Sequence, residues 1–194
     1  FSTPKHDYVV DPLVFSDLRP LAPIFIDKKL EKIFHASEYD LICLRRDYGF
    51  EFCNLFDTMQ AAREMGYSAV GLDTLLAEKF QMKIDKRHQK ANWGARPLTP
   101  AQIDYARQDT HYLFILRDLM EIELREKDRW ELALEDFARA CRVEDAKEKL
   151  NGASWKRFGG RKDVNERELT VLSSLCHSRD RIAEKLNRPP FKVI

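Results

Sequence analysis

"YARQDTHYL", residues 105–113, lies inside the run "TPAQIDYARQDTHYLFILRDLMEIELREKDRW", which reads as one long helix. Successive helical residues turn by about 100°. Ile103, Ala106, Thr110, Leu113, Phe114 and Met120 then share one apolar stripe, which Tyr105, Tyr112, Leu116 and Leu119 widen. Asp109 falls near the middle of that arc, so its carboxylate is expected to be buried. A buried charge is tolerated only when something meets it. A divalent metal would do so by favouring the ionised form; so would hydrogen bonds from Arg or the backbone. Tyr105 is four residues before Asp109. It is therefore a neighbour on the same helix face, where a phenol can hydrogen-bond a water or an oxyanion.

Working outward, strands and helices alternate. "HDYVVDP" reads as a short strand, "SDLRPLAPIFID" as a short helix with Ser16 as its candidate N-cap, and "KLEKIFHA" as the next strand. "SEYDLICLRRDYG" is a helix closed by Gly49, "EFCNLF" a strand, and "DTMQAAREMG" a helix from Asp57 to Gly66. "GLDTLLAEKF" is a further helix, and residues 81–98 read as a loop. This order implies an α/β layered domain, ending near residue 125. "ELALEDFARACRVEDAKEKL" follows as a polar amphipathic helix in a linker spanning 126–162, which also takes in most of the Gly-rich basic connector "NGASWKRFGGRKDVN". A second helical unit occupies 163–194.

The 194 residues suffice for one domain with a real core plus a smaller piece, and the 44% hydrophobic fraction is that of a folded protein. No apolar run is long enough to cross a bilayer and no signal-peptide pattern opens the chain, so no membrane partner is expected. The first residue is Phe1 rather than Met, as expected of a fragment. Cys43, Cys53, Cys141 and Cys176 are scattered without metal-ligand spacing. They read as reduced thiols of a cytoplasmic protein. Net charge is only +1, but "KIDKRHQKANWGARP" (83–97) and the stretch from Lys156 to Lys192 are locally basic. Such clusters are either solvated surface or a site for a phosphate backbone.

Several residues are candidates for chemistry. Asp40 follows a strand end, where ligand groups gather in α/β sheets. Ser37 and Asp40 also have the S-x-x-D spacing of a capping box, which needs no chemistry. Asp57 precedes a helix and reads as its N-cap. His35 is a phosphate contact or, more in keeping with its setting, a satisfied structural histidine. Trp93 and Arg96 share a loop with Lys86, Arg87 and Lys90. An aromatic among cations suits nucleic acid, since bases stack and phosphates pair, although a Trp can equally anchor a loop to the core.

The ordered set "FHASEYDL", "LFDTMQAAR", "DKRHQKANWGARPLT" and "YARQDTHYL" resembles ribonuclease D and the related catalytic exonuclease subunit of the nuclear exosome, over residues 1 to about 125. "WKRFGG" and "LSSLCHSRDRIAEKLNRPPFKVI" resemble the linker and opening of the helicase-and-RNase-D C-terminal (HRDC) domain. Each motif alone is weak; their order and spacing together are specific. The resemblance implies an RNase H-like 3'-5' exonuclease fold, here N-terminally incomplete, followed by a truncated HRDC-like unit. It implies two divalent cations, Mg2+ or Mn2+, held by four carboxylates, with a Tyr orienting the attacking water. By motif, Asp40 and Asp109 match two of the metal-binding carboxylates and Tyr105 the Tyr. His35, Lys86, Lys90, Trp93 and Arg96 are the expected nucleic-acid contacts. The substrate implied is RNA, such as the 3' ends of transfer RNA precursors, cut by a monomer to nucleoside 5'-monophosphates.

One departure stands out: the family's Asp-x-Glu first motif does not occur upstream of the "HDYVVDP" region, and "LDTLL" lacks the Glu. The 194-residue chain is therefore expected to bind metal weakly and to show little nuclease activity. A non-catalytic RNA-binding scaffold on the same fold, and a DNA 3'-5' exonuclease domain, are the alternatives.

Overall fold

The structure, a computed structural model, describes residues 1–142, 165–186 and 193. Two strands, β1 (Lys32–Phe34) and β2 (Leu55–Asp57), pair in parallel, with Lys32 opposite Leu55 and Phe34 opposite Asp57. Parallel strands need a crossover. Here it is α2 (Glu38–Tyr48), closed by Gly49 in the left-handed conformation at φ 68°. Upstream, a 3-10 turn (Arg19–Leu21) runs into α1 (Ala22–Ile26). Downstream lie α3 (Thr58–Glu64), α4 (Leu72–Phe80), α5 (Pro100–His111), α6 (Leu113–Glu126) and α7 (Trp130–Cys141).

Two apolar clusters hold these elements. One joins β2 and α3 to α4, α6 and α7 through Phe56, Ala61, Leu75, Leu76, Leu116, Met120 and Phe137, with the Phe56 and Phe137 rings 4.7 Å apart. The other packs α1 and α2 against the approach to β2 through Phe25, Leu41, Phe50, Phe52 and Leu55.

Three local expectations fail. "HDYVVDP" is not a strand: the segment has only an isolated antiparallel bridge from Ser2 to Asp7, because no described strand runs beside Val9 and Val10. Ser16 caps nothing; the first turn begins at Arg19 without a side-chain cap bond, and a proline near its start sets the backbone instead. The long helix is broken at Tyr112 and again at Lys127–Arg129. The break at Tyr112 lets Leu113, Leu116, Met120 and Leu124 of α6 turn into the core, whereas the only buried residue of α5 is Gln102.

The chain divides into two compact units, Phe1–Val143 and Glu144–Ile194. Helix α7, which the sequence places in a linker, falls in the first unit because Ala133 and Phe137 are buried in its core. In the second unit, α8 (Glu166–Lys185) starts at a capping box between Asn165 and Glu168. The connector before Asn165 lies outside the described residues.

One side chain ties the sheet to two helices. The Asp57 carboxylate, 1% exposed, accepts N–H bonds from Met59 (2.8 Å) and Gln60 (3.3 Å) as the N-cap of α3. It also accepts from Ala36 (3.1 Å) and Ser37 (2.7 Å) at the entrance to α2. Losing a cap and leaving buried N–H groups unpaired costs about 3 kcal/mol in sum. Urea unfolding of Asp57→Ala should show a loss of about that size, with Asp57→Asn losing less because it keeps one acceptor oxygen. An Ala variant within about 0.5 kcal/mol of wild type would contradict this role.

Candidate active site

Asp40 owes its position to the bend before α2. After Phe34 the chain turns through Ala36 at φ 60°, a left-handed conformation that costs a non-glycine residue energy. The bonds from Asp57 hold that turn. The expected Ser37–Asp40 capping box does not form: Ser37 is itself in the helical conformation, makes no side-chain cap bond, and its buried hydroxyl has no partner. Asp40 is thus free of capping duty and stands exposed in the first turn of α2.

Tyr105 and Asp109 are carried by α5, whose start is fixed by Thr99 and Gln102 in a reciprocal capping box with a proline in the first turn. The expectation that Asp109 is buried is wrong. It is exposed, as is Ile103 at 41%, because the apolar arc of α5 is not covered along its length by any described element. Solvent reaches both carboxylates, yet neighbouring protein partly desolvates them. The Asp109 carboxyl is pushed above its ordinary value by that partial burial and then by the charge of Asp40. Asp40 is pushed up by partial burial and then by Asp57. The Asp109 carboxylate of α5 is therefore within electrostatic reach of the Asp40 carboxylate of α2. Tyr105 joins them: its phenol is pushed up by burial and by Asp109, and so keeps its proton. The Trp93 and His88 ring centroids lie 5.9 and 6.3 Å from that of Tyr105.

Among the described residues, no group of three or more His, Cys, Asp or Glu side chains is arranged to hold a metal ion. The pair Asp40 and Asp109 offers hard oxygen donors, which suit Mg2+ or Mn2+. They fit such ions as part of a ligand set.

The expected nucleic-acid contacts separate. Lys86 is mostly exposed beside Tyr105 and forms an ion pair with Asp73. Lys90 is exposed and Trp93 half-buried on the same loop. His35 is engaged within the protein: its Nδ1 lies 2.9 Å from the Thr58 hydroxyl, and burial lowers its pKa. Arg96 is not a free cation. It makes a two-pronged ion pair with Asp11 and donates to the carbonyls of Trp93 and Ala95, clamping the loop to the N-terminal segment. Sequence reasoning missed Asp73 and Asp11 as partners, and pairs this distant in sequence leave no local signal.

Comparison with known proteins bears on this geometry. The 3'-5' exonuclease family profile matches residues 1–125. Protein RRP6-like 1 of Arabidopsis thaliana is 36% identical over 94% of this chain, and exosome complex component 10 of Rattus norvegicus is 31% identical over 95%. The chain spans only 30% and 22% of those relatives' lengths. The crystal structure of Escherichia coli RNase D, an exoribonuclease involved in structured RNA processing, superposes with a TM-score of 0.71 at 25% identity, covering 92% of this chain and 48% of that one. These agree with the RNase H-like exonuclease fold, and the named relatives reported are of the RRP6 and exosome kind, with RNase D a structural neighbour. The chain belongs to the 3'-5' exonuclease family.

Proposed function

We propose that this chain contributes Asp40, Asp109 and Tyr105 to a two-cation 3'-5' exoribonuclease centre that removes nucleoside 5'-monophosphates from RNA 3' ends. The observation that carries the reading is that two carboxylates from separate elements lie within electrostatic reach, the charge of Asp40 raising the pKa of Asp109, with a protonated Tyr one turn away. Divalent cations, when bound there, would help activate water and stabilise the attacking and leaving oxygens of an in-line displacement. The chain's own groups have distinct tasks. Asp40 and Asp109 supply oxygen ligands, and the Tyr105 O–H orients the attacking water. Trp93 offers a ring for a terminal base, and Lys86 offers charge to a phosphate.

The relatives' names, RRP6-like and exosome component, support RNA over DNA as substrate and an exosome-type complex as partner. Neither name points to transfer RNA precursors or to the cytoplasm. The unit containing α8 is read as the opening of an HRDC-type binding module. A second reading, an RNA-binding scaffold, is favoured by one observation: the described residues supply two metal-binding carboxylates rather than four.

Mg2+-dependent degradation of a 5'-labelled RNA decides between them. The 194-residue chain should show little or no turnover, whereas the natural full-length protein should shorten the RNA stepwise from its 3' end. In that protein, Asp109→Asn or Asp40→Asn should lower kcat by at least about 1,000-fold with RNA affinity nearly unchanged. RNA binding without degradation by the full-length protein would establish the scaffold, and degradation of DNA alone would overturn the RNA assignment.

A stability measurement tests the site without substrate. Because both carboxyls titrate above their ordinary value, the folded chain holds protons that the unfolded chain has released. Ionising them therefore opposes folding, and their contribution to stability falls as pH rises from the ordinary Asp range through the raised values. Asp109→Asn should melt at a higher temperature than wild type near pH 7 in metal-free buffer. The difference should close near pH 3, where both are neutral (ordinary Asp titrates at about 3.9). A wild type more stable than the variant at pH 7 would contradict the raised pKa.

A further inference from the structure

Helix α5 carries two of the three proposed site residues, Tyr105 and Asp109; none of its apolar residues is fully buried, and the core contact nearest its end is that of Tyr112, just beyond it. Its last turn, which contains Asp109, is instead gripped by polar groups of the N-terminal segment. Residues 1–8 form a narrow hairpin, with Thr3 N–H bonded to His6 O (2.8 Å) and Tyr8 N–H to Phe1 O (2.7 Å). From this hairpin Asp7 reaches α5. One carboxylate oxygen accepts the Ser2 hydroxyl, and the other accepts His111 Nδ1 at 2.8 Å, with Arg107 3.5 Å away. Because the single Ser2 proton goes to Asp7, the Thr110 hydroxyl is the donor in its 2.7 Å bond to Ser2 Oγ. Because a carboxylate only accepts, His111 carries its proton on Nδ1. Three residues, 107, 110 and 111, that bracket Asp109 are thus held, directly or through Ser2, by one acidic side chain a hundred or more positions earlier.

We propose that Asp7, with Ser2 as its relay, is a positioning residue that sets the last turn of α5 and thereby aims Asp109 at Asp40. The assignment of Asp109 as a metal ligand rests on the function proposed above; the clasp itself does not. Its logic is that a helix with no fully buried apolar residue of its own depends on its polar contacts, and that small displacements of a ligand are costly in function.

Two readouts on the 194-residue chain test it. In Asp7→Ala, amides 107–111 should exchange with solvent about tenfold faster, while those of residues 116–124 in α6 keep their protection. Mn2+ affinity, read from the signal of free Mn2+, should weaken about threefold to tenfold in the same variant. Asp7→Asn should restore both, since the amide oxygen still accepts Ser2 and His111 can move its proton to Nε2 and accept from the amide. Unchanged exchange at 107–111 in Asp7→Ala would overturn the clasp, as would an Asn variant no better than Ala. Faster exchange in a protein that binds no Mn2+ at millimolar concentration would uphold the clasp and count against the metal site.

Discussion

The Asp57 carboxylate is the constraint on which the rest depends. Its four accepted N–H bonds close the start of α3, hold the left-handed turn at Ala36 and fix Ser37, the residue that precedes α2. A carboxylate with charge-assisted bonds to backbone N–H groups is a strong local fastener. Here it lies at the end of a three-residue strand in a two-stranded sheet. So small a sheet cannot by itself orient the helices around it. The pin converts the parallel register of Phe34 and Asp57 into a defined take-off for α2, and with it a defined place for Asp40.

The opposing half of the site is held differently. Where α2, α3 and α6 bury apolar residues, α5 lies on the surface and depends on its capping box, on the Asp7 contacts and on the loop that Arg96 clamps to Asp11. A site built between a packed helix and a lightly held one brings two carboxylates near each other without the protein neutralising either. Both remain solvent-accessible and both titrate high. Unrelieved repulsion of this kind is what a bound cation would remove.

How much of this the sequence discloses follows from the range of each interaction. The helices from α2 to α4, the Asp57 cap and the left-handed closures at Gly49 and Gly66 are local, and their residues can be read directly. The spacing of Tyr105 and Asp109 is equally local, and both stand together in the structure as that spacing implies. The exposure of Asp109 is not legible in the sequence, because a helical wheel shows which residues share a face but not whether another element covers it. The break at Tyr112 escaped for the same reason, since the core that α6 turns toward is built from residues of β2, α3 and α7. The sequence around Arg96 offers a cation for a phosphate, and its pairing with Asp11, 85 residues away, leaves no local signal. Asp57 was legible as a cap, but its grip on Ala36 and Ser37, about twenty residues earlier, has no signature in the sequence.

The central claim is that Asp40 and Asp109 share one electrostatic centre, and carbon NMR titration of the labelled Asp109 carboxyl in metal-free protein tests it most directly. The Asp109 carboxyl should titrate above the ordinary Asp range and move back toward it when Asp40 is replaced by Asn. An Asp109 that titrates at the ordinary value, or at the same value with and without the Asp40 charge, would contradict the account.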